Sequence, residues 1–464
     1  MKSLIRLALF GGMVVVGSGC SIQDRYRSTA DRIIKSTMTS NDSWKKMHAL
    51  CDGIGHRLSG SRQLERAVDW AVASLKTDGH ENVRAEPVMV PHWVRGNESA
   101  VMVEPRVAPF AMLGLGGSVG TPPEGITAPV VVVRDEKELD ALGEGARGKI
   151  VLFNNPMPPY DETGSHYGST VRFRGKGAIL AAQNGAVACL IRSVTARSLR
   201  SPHTGAMRYD EKVAKIPAAA ISTEDADTVA RLAAGGTPVV VRLSMEASTQ
   251  PDAPSANVVA EIRGRERPDE VVVMGGHIDS WDVGQGAHDD GAGIVMCMEA
   301  LNVIRKMGLQ PRRTIRVVLW TNEENGLAGG KQYAKDHASE IPHFVAAIES
   351  DSGGFAPDAF SVECKDKERE AVATRQVTGI AQLVRHLGAT QVSRGHSGAD
   401  VSPMKDAGAM LMGFSSKGDT YFDYHHTHAD TLDKVNPDEL SRCVASMAVM
   451  TYVLADMPER LGQP

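Results

Sequence analysis

The chain has little cysteine, no block of basic charge and no long apolar run beyond its first twenty residues, and each shortage removes a class of protein. Of six cysteines among 464 residues, Cys20 closes the N-terminal segment and Cys51, Cys189, Cys297, Cys364 and Cys443 follow. Those five are an odd number and none form a C-x-x-C pair. Neither a disulfide scaffold nor a thiolate zinc site is expected, and buried free thiols are the default. Lys and Arg total 51 against 56 Asp and Glu, a net charge of -5, which leaves no electrostatic footprint for nucleic acid. No internal stretch of about 20 apolar residues is present to span a bilayer. With 42% apolar residues, a chain of this length can bury large cores in two or three domains without covalent staples.

The first twenty residues, MKSLIRLALFGGMVVVGSGC, place Lys2 and Arg6 before an apolar run from Leu7 to Val16 and small residues up to Cys20. This is the layout of an export signal. It resembles a bacterial lipoprotein signal, which implies lipidation of Cys20 and anchoring in the envelope on the periplasmic side. Gly17 stands where Leu is common in that pattern, and the alternative is cleavage near Gly19 with release.

After the signal, Leu64, Ala67, Val68, Ala71, Val72 and Leu75 recur at helical spacing, with Gly79 as a stop. Strand-like RAEPVMVPHWV follows, then the Gly/Pro-rich LGLGGSVGTPPEG, residues 113 to 125. A first domain part is expected over 21–120. From 121 to 248 short apolar strands (APVVVV, GKIVLFN, GAVACLI, IPAAAIS, TPVVVRLSM) alternate with small helices. No cluster of potential ligands appears there, so this stretch reads as a separate module without chemistry of its own. The polar EASTQPDAPSAN (246–257) reads as the next boundary, and 249–464 as the main part of the chemical domain. In that part strands alternate with helices, predicting an α/β fold with a mostly parallel central sheet flanked by helices.

The polar residues collect where such a sheet binds ligands, beyond the carboxyl ends of its strands. His277 and Asp279 follow VVVMGG, Glu323 and Glu324 follow RTIRVVLW, and Asp351 follows HFVAAIES; later YHHTHADT brings His425, His426 and His428 within four positions. A single Asp in a Gly-rich loop is more often a cap, and an isolated Glu pair is usually solvated. Three strand ends that deliver only imidazole and carboxylate point instead to a metal centre suited to zinc. Two cations about 3.5–4 Å apart need a carboxylate between them, and Asp289, among glycines that let the backbone fold close, is placed to bridge. His288 beside it reads as a neighbour.

The segments GGHIDSWDVGQGAHDDGAG, LWTNEENGLAGG, IESDSGG and YHHTHADT together resemble the four signatures of the co-catalytic di-zinc exopeptidases, the family of bacterial aminopeptidases and glutamate carboxypeptidases. GIGHRLSGS and VPHWVRG are similar to its N-terminal segment, and residues 125–245 to the protease-associated domain inserted in several members. The resemblance implies two Zn2+ per chain: His277 and Asp351 on one, Glu324 and His426 on the other, Asp289 on both. It implies that Asp279 hydrogen-bonds the His277 imidazole and fixes its tautomer, and that Glu323 is the general base acting on a metal-bridging water.

His426 is chosen over its neighbours by the pattern His-Thr-x-x-Asp. Many members carry Tyr immediately before that His; here the position is His425, with Tyr424 one further back, and His425 is the candidate oxyanion donor. His396 and Ser397, in GHSGAD, resemble a loop near the substrate pocket. The implied activity is hydrolysis of short peptides, dipeptides with free termini first, with the insert walling the pocket and a homodimer possible. An aminopeptidase of the same family is the alternative. A catalytically silent binding protein on the same fold would show substituted ligands, and none is substituted.

Overall fold

The computed structural model describes residues 21–162 and 164–463. The signal-like segment, with Cys20, lies outside the described residues. No helix among the described residues is long and apolar enough to cross a membrane, and Cys51, Cys189, Cys297, Cys364 and Cys443 are all buried free thiols.

Two eight-stranded sheets organise the chain. At the centre of the first, Arg313–Trp320, Arg267–His277, Phe344–Ser350 and Leu411–Ser416 run parallel in that spatial order. Antiparallel neighbours flank them: Ser248–Ile262 on one side, Pro357–Glu363 on the other. The expected strands and the interposed helices Ala292–Lys306 and Ala328–Asp336 are present. The near-continuous apolar runs of the central strands follow from burial on both faces. Val272 and Met274, with Ile315, Val317 and Leu319, face one core, where Ala292–Lys306 and Pro437–Asp456 pack. Val271, Val273, Val318 and Trp320 face the other, closed by Tyr333 and Met404. Helix Arg62–Thr77 buries Leu64, Ala67, Val68, Ala71 and Leu75, is capped by the Ser61 side chain, and leaves Val72 at the margin.

The second sheet has its own parallel centre: Ile126–Val133, Ile150–Phe153, Ala188–Arg192 and Ala218–Ile221. It reaches further upstream than the expected boundary near residue 120, because Glu98–Glu104 pairs with Val240–Met245 and Met112–Gly114 with Ala218–Ile221. The polar stretch 246–257, read as a boundary, is not irregular chain. It opens the strand Ser248–Ile262, which pairs with Glu81–Val94 in a long antiparallel ribbon. Pro251 and Pro254 fit because the first half of this strand is largely exposed and has only Glu81–Val94 beside it; the ladder to Arg313–Trp320 begins at Val258. Prolines are tolerated where a ladder N–H is not needed.

A buried ionic network ties the ribbon to the sheet. Arg316 donates to Glu261 (2.6 Å), Glu340 (2.9 Å) and the Tyr333 hydroxyl (3.1 Å). His337 lies between Glu86 (3.0 Å) and Glu340 (3.0 Å). Although burial alone opposes its charge, the Glu86 and Glu340 carboxylates raise its pKa above the ordinary 6.5. Against its own burial, Glu86 is held below the ordinary 4.5 by His337 and Arg84. A raised imidazole pKa stabilises the fold fully below its unfolded value and loses that contribution as pH rises through the folded one; the depressed carboxylate loses its share as pH falls. The melting-temperature deficit of His337→Gln should therefore be largest between pH 4.5 and 6.5 and shrink in mildly alkaline buffer. A deficit independent of pH would remove this pair from the stability of the ribbon.

Candidate metal centre

His277 ends the Arg267–His277 strand, and the chain then turns through residues 278–291 before entering the helix Ala292–Lys306. That turn is built by close approach. A Cβ at Gly276 would stand 2.1 Å from Asp290 Oδ2, and one at Gly293 2.2 Å from Asp290 Oδ1. Only glycine leaves room for the Asp290 carboxylate, which accepts the His277 and Gly293 backbone N–H groups, both at 3.1 Å. Gly286 has φ +56° and a Cβ there would meet Ser280.

Arg57, fully buried, fastens the turn from the N-terminal side. It donates to the carbonyls of Ile278 (2.8 Å), Gln285 (2.7 Å), Gly286 (3.0 Å) and its own neighbour Gly55 (2.9 Å). Asp430 fastens it from the C-terminal side, accepting the N–H groups of His288 (2.7 Å) and Asp289 (3.2 Å).

The side chains named from the sequence converge on this turn. Asp289 Oδ1 is 3.2 Å from His277 Nε2, and its Oδ2 is 3.1 Å from His426 Nε2. One carboxylate thus faces two imidazoles with different oxygens. Asp351 Oδ1 is 3.6 Å from His277 Nε2, and Glu324 Oε2 is 3.0 Å from His426 Nε2. Asp289 Oδ2, Glu324 Oε1 and Asp351 Oδ1 are buried oxygens without a hydrogen bond. Groups within this set keep their ligand atoms inside 4.8 Å of one another: His277, Asp289 and Glu324; His277, Asp290 and Asp351; Asp289, His425 and His426. The Asp351 side chain keeps 28% of its exposure, so the cluster opens on that side.

Asp279 has two tasks. Its backbone carbonyl, not its carboxylate, is the nearer partner of His277 Nδ1, at 3.1 Å against 3.6 Å. Its carboxylate accepts the N–H groups of Glu323 (3.0 Å) and Glu324 (3.3 Å), tying one strand-end loop to the next. The electrostatics record the crowding. Burial, reinforced by neighbouring carboxylates, raises Glu323 well above the ordinary carboxyl range and Glu324 to about 7. Burial opposes charge on His426, yet Glu324 and Asp289 raise it to about 9, and Asp279, Asp289 and Asp351 likewise raise His277.

Other expected residues lie around this set. The His425 ring stacks on His426 with centroids 3.5 Å apart, and Tyr424 stacks on His288 at 5.7 Å. His288 Nδ1 accepts the Gly354 N–H at 3.1 Å. Ser397 donates to Glu363 (2.9 Å) and His396 is exposed; neither side chain is brought to the carboxylate cluster. Their loop is held by Glu349, which accepts the Ala399 and Val401 N–H groups, both at 2.9 Å.

The second sheet is not free of chemistry, contrary to the expectation for 121–248. Arg174 Nη1 is 3.3 Å from His426 Nδ1, and Thr204 accepts at the same atom through its carbonyl, also 3.3 Å. The Arg174 Nε is buried without a partner. The Tyr167 ring meets His425 edge-on at 5.2 Å and stacks on Phe422 at 4.5 Å. Arg95 locks the two sheets together, binding both oxygens of Asp282 (2.8 and 2.6 Å), the Gly114 carbonyl (2.6 Å) and Thr204 Oγ1 (3.3 Å). Lone residues scattered over 100 positions carry no local spacing signal, which is why sequence reasoning missed them. Arg57 stands in the quoted GIGHRLSGS without a task being assigned to it.

Residues 257–451 match the profile of Peptidase family M28, and carboxypeptidase Q of Bos taurus is 43% identical over 470 residues, covering 98% of this chain and 96% of that protein. The chain belongs to peptidase family M28. Its human relative, carboxypeptidase Q of Homo sapiens, is 44% identical over 421 residues, 91% of this chain and 87% of that one. The crystal structure of a Peptidase M28 precursor from Shewanella amazonensis superposes with a TM-score of 0.90 at 36% identity, covering 95% and 99% of the two chains. An aminopeptidase from Aneurinibacillus sp. strain AM-1 shares the fold, with a TM-score of 0.64 at 20% identity over 94% and 98% of the two chains.

For this M28 chain, Arg57→Met keeps most of the buried volume and removes the donors to four backbone carbonyls. Unsatisfied buried acceptors cost about 1–3 kcal/mol each, so chemical denaturation should report a loss of at least about 3 kcal/mol. A loss below about 1 kcal/mol would show that water or backbone adjustment replaces the guanidinium.

Proposed function

We propose that this chain is a di-zinc exopeptidase acting on short peptides, dipeptides with both termini free foremost. The observation that carries the reading is the donor set itself. Five side chains from four chain segments, His277, Asp289, Glu324, Asp351 and His426, meet in a buried site that leaves three carboxylate oxygens uncommitted. Isolated carboxylates do not stay charged out of water without cations, and imidazole with carboxylate and no thiolate suits zinc. His277 and Asp351 would hold one ion, Glu324 and His426 the other, with Asp289 between them. Zinc, when bound there, supplies the positive charge that polarises a peptide carbonyl and acidifies a neighbouring water.

The chain's own residues do the rest. Asp279, through its carbonyl, keeps the His277 Nδ1 protonated, so that Nε2 presents its lone pair to the centre. The Glu323 carboxylate takes a proton from the attacking water and delivers it to the leaving amine nitrogen. The N-terminal segment and the second sheet, read as a protease-associated insert, close the site around a small substrate.

Arg174 favours a carboxypeptidase or dipeptidase over an aminopeptidase. A half-buried guanidinium whose Nε is unpartnered and whose Nη1 lies 3.3 Å from His426 suits the free carboxylate of a short substrate; a free amine would be repelled. The relatives named carboxypeptidase Q agree with this choice.

The test compares a dipeptide with its N-acetylated and C-amidated forms on the zinc-loaded protein. Cleavage of only the free dipeptide supports the proposal, and cleavage of the amide at an equal rate would replace it with an aminopeptidase. Glu323→Gln should lower kcat by at least about 100-fold, the range of a general base, with metal content unchanged. Arg174→Met should raise KM for the free dipeptide by about tenfold and leave the amide unaffected, as expected for a lost charge-assisted pair of about 1.5 kcal/mol; an equal effect on both would place Arg174 outside carboxylate recognition.

A further inference from the structure

Both imidazoles of the centre, on the di-zinc exopeptidase reading on which this inference rests, face one requirement. An imidazole that gives a cation the lone pair of one nitrogen must carry a proton on the other, and a partner for that proton fixes the ring and its tautomer. For His277 the partner is the Asp279 carbonyl, two residues along its own segment. For His426 it comes from the other sheet. His426 Nδ1 faces the Thr204 carbonyl at 3.3 Å, while Nε2 faces Asp289 and Glu324. Arg174 Nη1 stands at the same 3.3 Å from Nδ1. A guanidinium only donates, so it could bond Nδ1 only in the tautomer with its proton on Nε2, where no cation could be held. The Thr204 carbonyl only accepts, and it selects the competent form.

The backbone of His426 also has to be held. Its φ is +61°, in the left-handed region that is costly for a residue with a Cβ. The chain at this strained residue is fastened by residues 203–205, in the loop between Ala188–Arg192 and Ala218–Ile221. The Thr204 N–H donates to the His426 carbonyl at 3.0 Å, and His203 Nδ1 donates to the His425 carbonyl at 2.8 Å. His203 is 2% exposed, and among the described residues its Nε2 meets no hydrogen-bond partner. An imidazole is thus buried for the sake of one bond to the chain beside His426. The loop is itself anchored in the second sheet. Ser193 Oγ accepts the His203 N–H at 2.9 Å, Thr204 Oγ1 donates to the Gly114 carbonyl at 2.7 Å, and the Gly116 N–H donates to the Gly205 carbonyl at 3.0 Å. Gly205 has φ +138°, and a Cβ there would stand 2.5 Å from the Arg174 guanidinium, so only glycine lets the loop pass beneath that side chain.

We infer that His203 is a positioning residue for one of the two cation sites: its Nδ1–H, with the Thr204 main chain beside it, holds the His425–His426 turn so that His426 Nε2 reaches the cation it shares with Glu324 and Asp289. The second sheet therefore sets the affinity of that site and leaves the site of His277 and Asp351 alone. In this role His203 touches neither metal nor substrate, and acts only through the chain that carries His426.

Calorimetric titration of metal-free protein with zinc tests this. His203→Phe keeps a ring of similar size and loses the donor; His203→Asn loses the ring and places an amide N–H close to where Nδ1 stood. In His203→Phe one equivalent should bind about 10- to 100-fold more weakly, the range for lost outer partners of metal ligands, and the other should stay within about threefold of wild type. The weakened equivalent should be the one that Glu324→Gln weakens and Asp351→Asn spares. His203→Asn should recover most of the affinity, a rescue that restored packing does not supply. His203→Ala removes the same donor and should repeat the loss if the phenyl ring is not accommodated. Unchanged affinity in the donor-free variants would overturn the inference, as would equal weakening of both equivalents or an Asn variant as weak as the Phe variant. A wild type that binds fewer than two equivalents would contradict the di-zinc reading itself, and the inference with it.

Discussion

The structure turns on one buried carboxylate. Asp289 presents one oxygen to His277 and the other to His426, and these histidines come from chain segments almost 150 positions apart. Around it stand Glu323, Glu324, Asp351 and Asp290, more negative charge than a dry site tolerates without cations. Much of the surrounding backbone exists to hold this crowd in place. Arg57 gathers the carbonyls of the turn, Asp430 gathers its N–H groups, and Asp279 binds the loop of the adjacent strand.

The parallel centre of the first sheet explains why this assembly is possible. Three neighbouring strands end at the same edge, so His277, Glu323, Glu324 and Asp351 arrive together although they are remote in sequence. The second sheet then supplies what a strand edge cannot, a wall. Arg95 clamps Asp282 of the turn to Gly114 and Thr204, which brings Arg174 and Tyr167 against the imidazoles. The candidate centre is therefore flanked by both sheets, with carboxylates on one side and the Arg174 guanidinium on the other.

Much of this was legible in the sequence because the relevant signals are local. Apolar runs marked the central strands, and the cluster of His, Asp and Glu at strand ends marked the centre. What escaped depends on contacts that no spacing encodes. The polar segment 246–257 reads as a domain boundary, yet most of it becomes a strand because Glu81–Val94 is there to pair with it. Arg174 is unremarkable in its own segment and stands out only beside His426. For Asp279 the contact expected of the carboxylate is made at the shorter distance by the backbone carbonyl, and the carboxylate serves the following loop.

The central claim is that Asp289 joins two cation sites into one. Titration of metal-free protein with zinc, followed by calorimetry and by elemental analysis of the desalted complex, tests it most directly when wild type and Asp289→Asn are compared. The account predicts two equivalents bound tightly to wild type and weakened affinity for both in the variant, because the shared carboxylate is lost from each site. One equivalent in wild type, or a variant that loses a single ion while the other keeps its affinity, would contradict it.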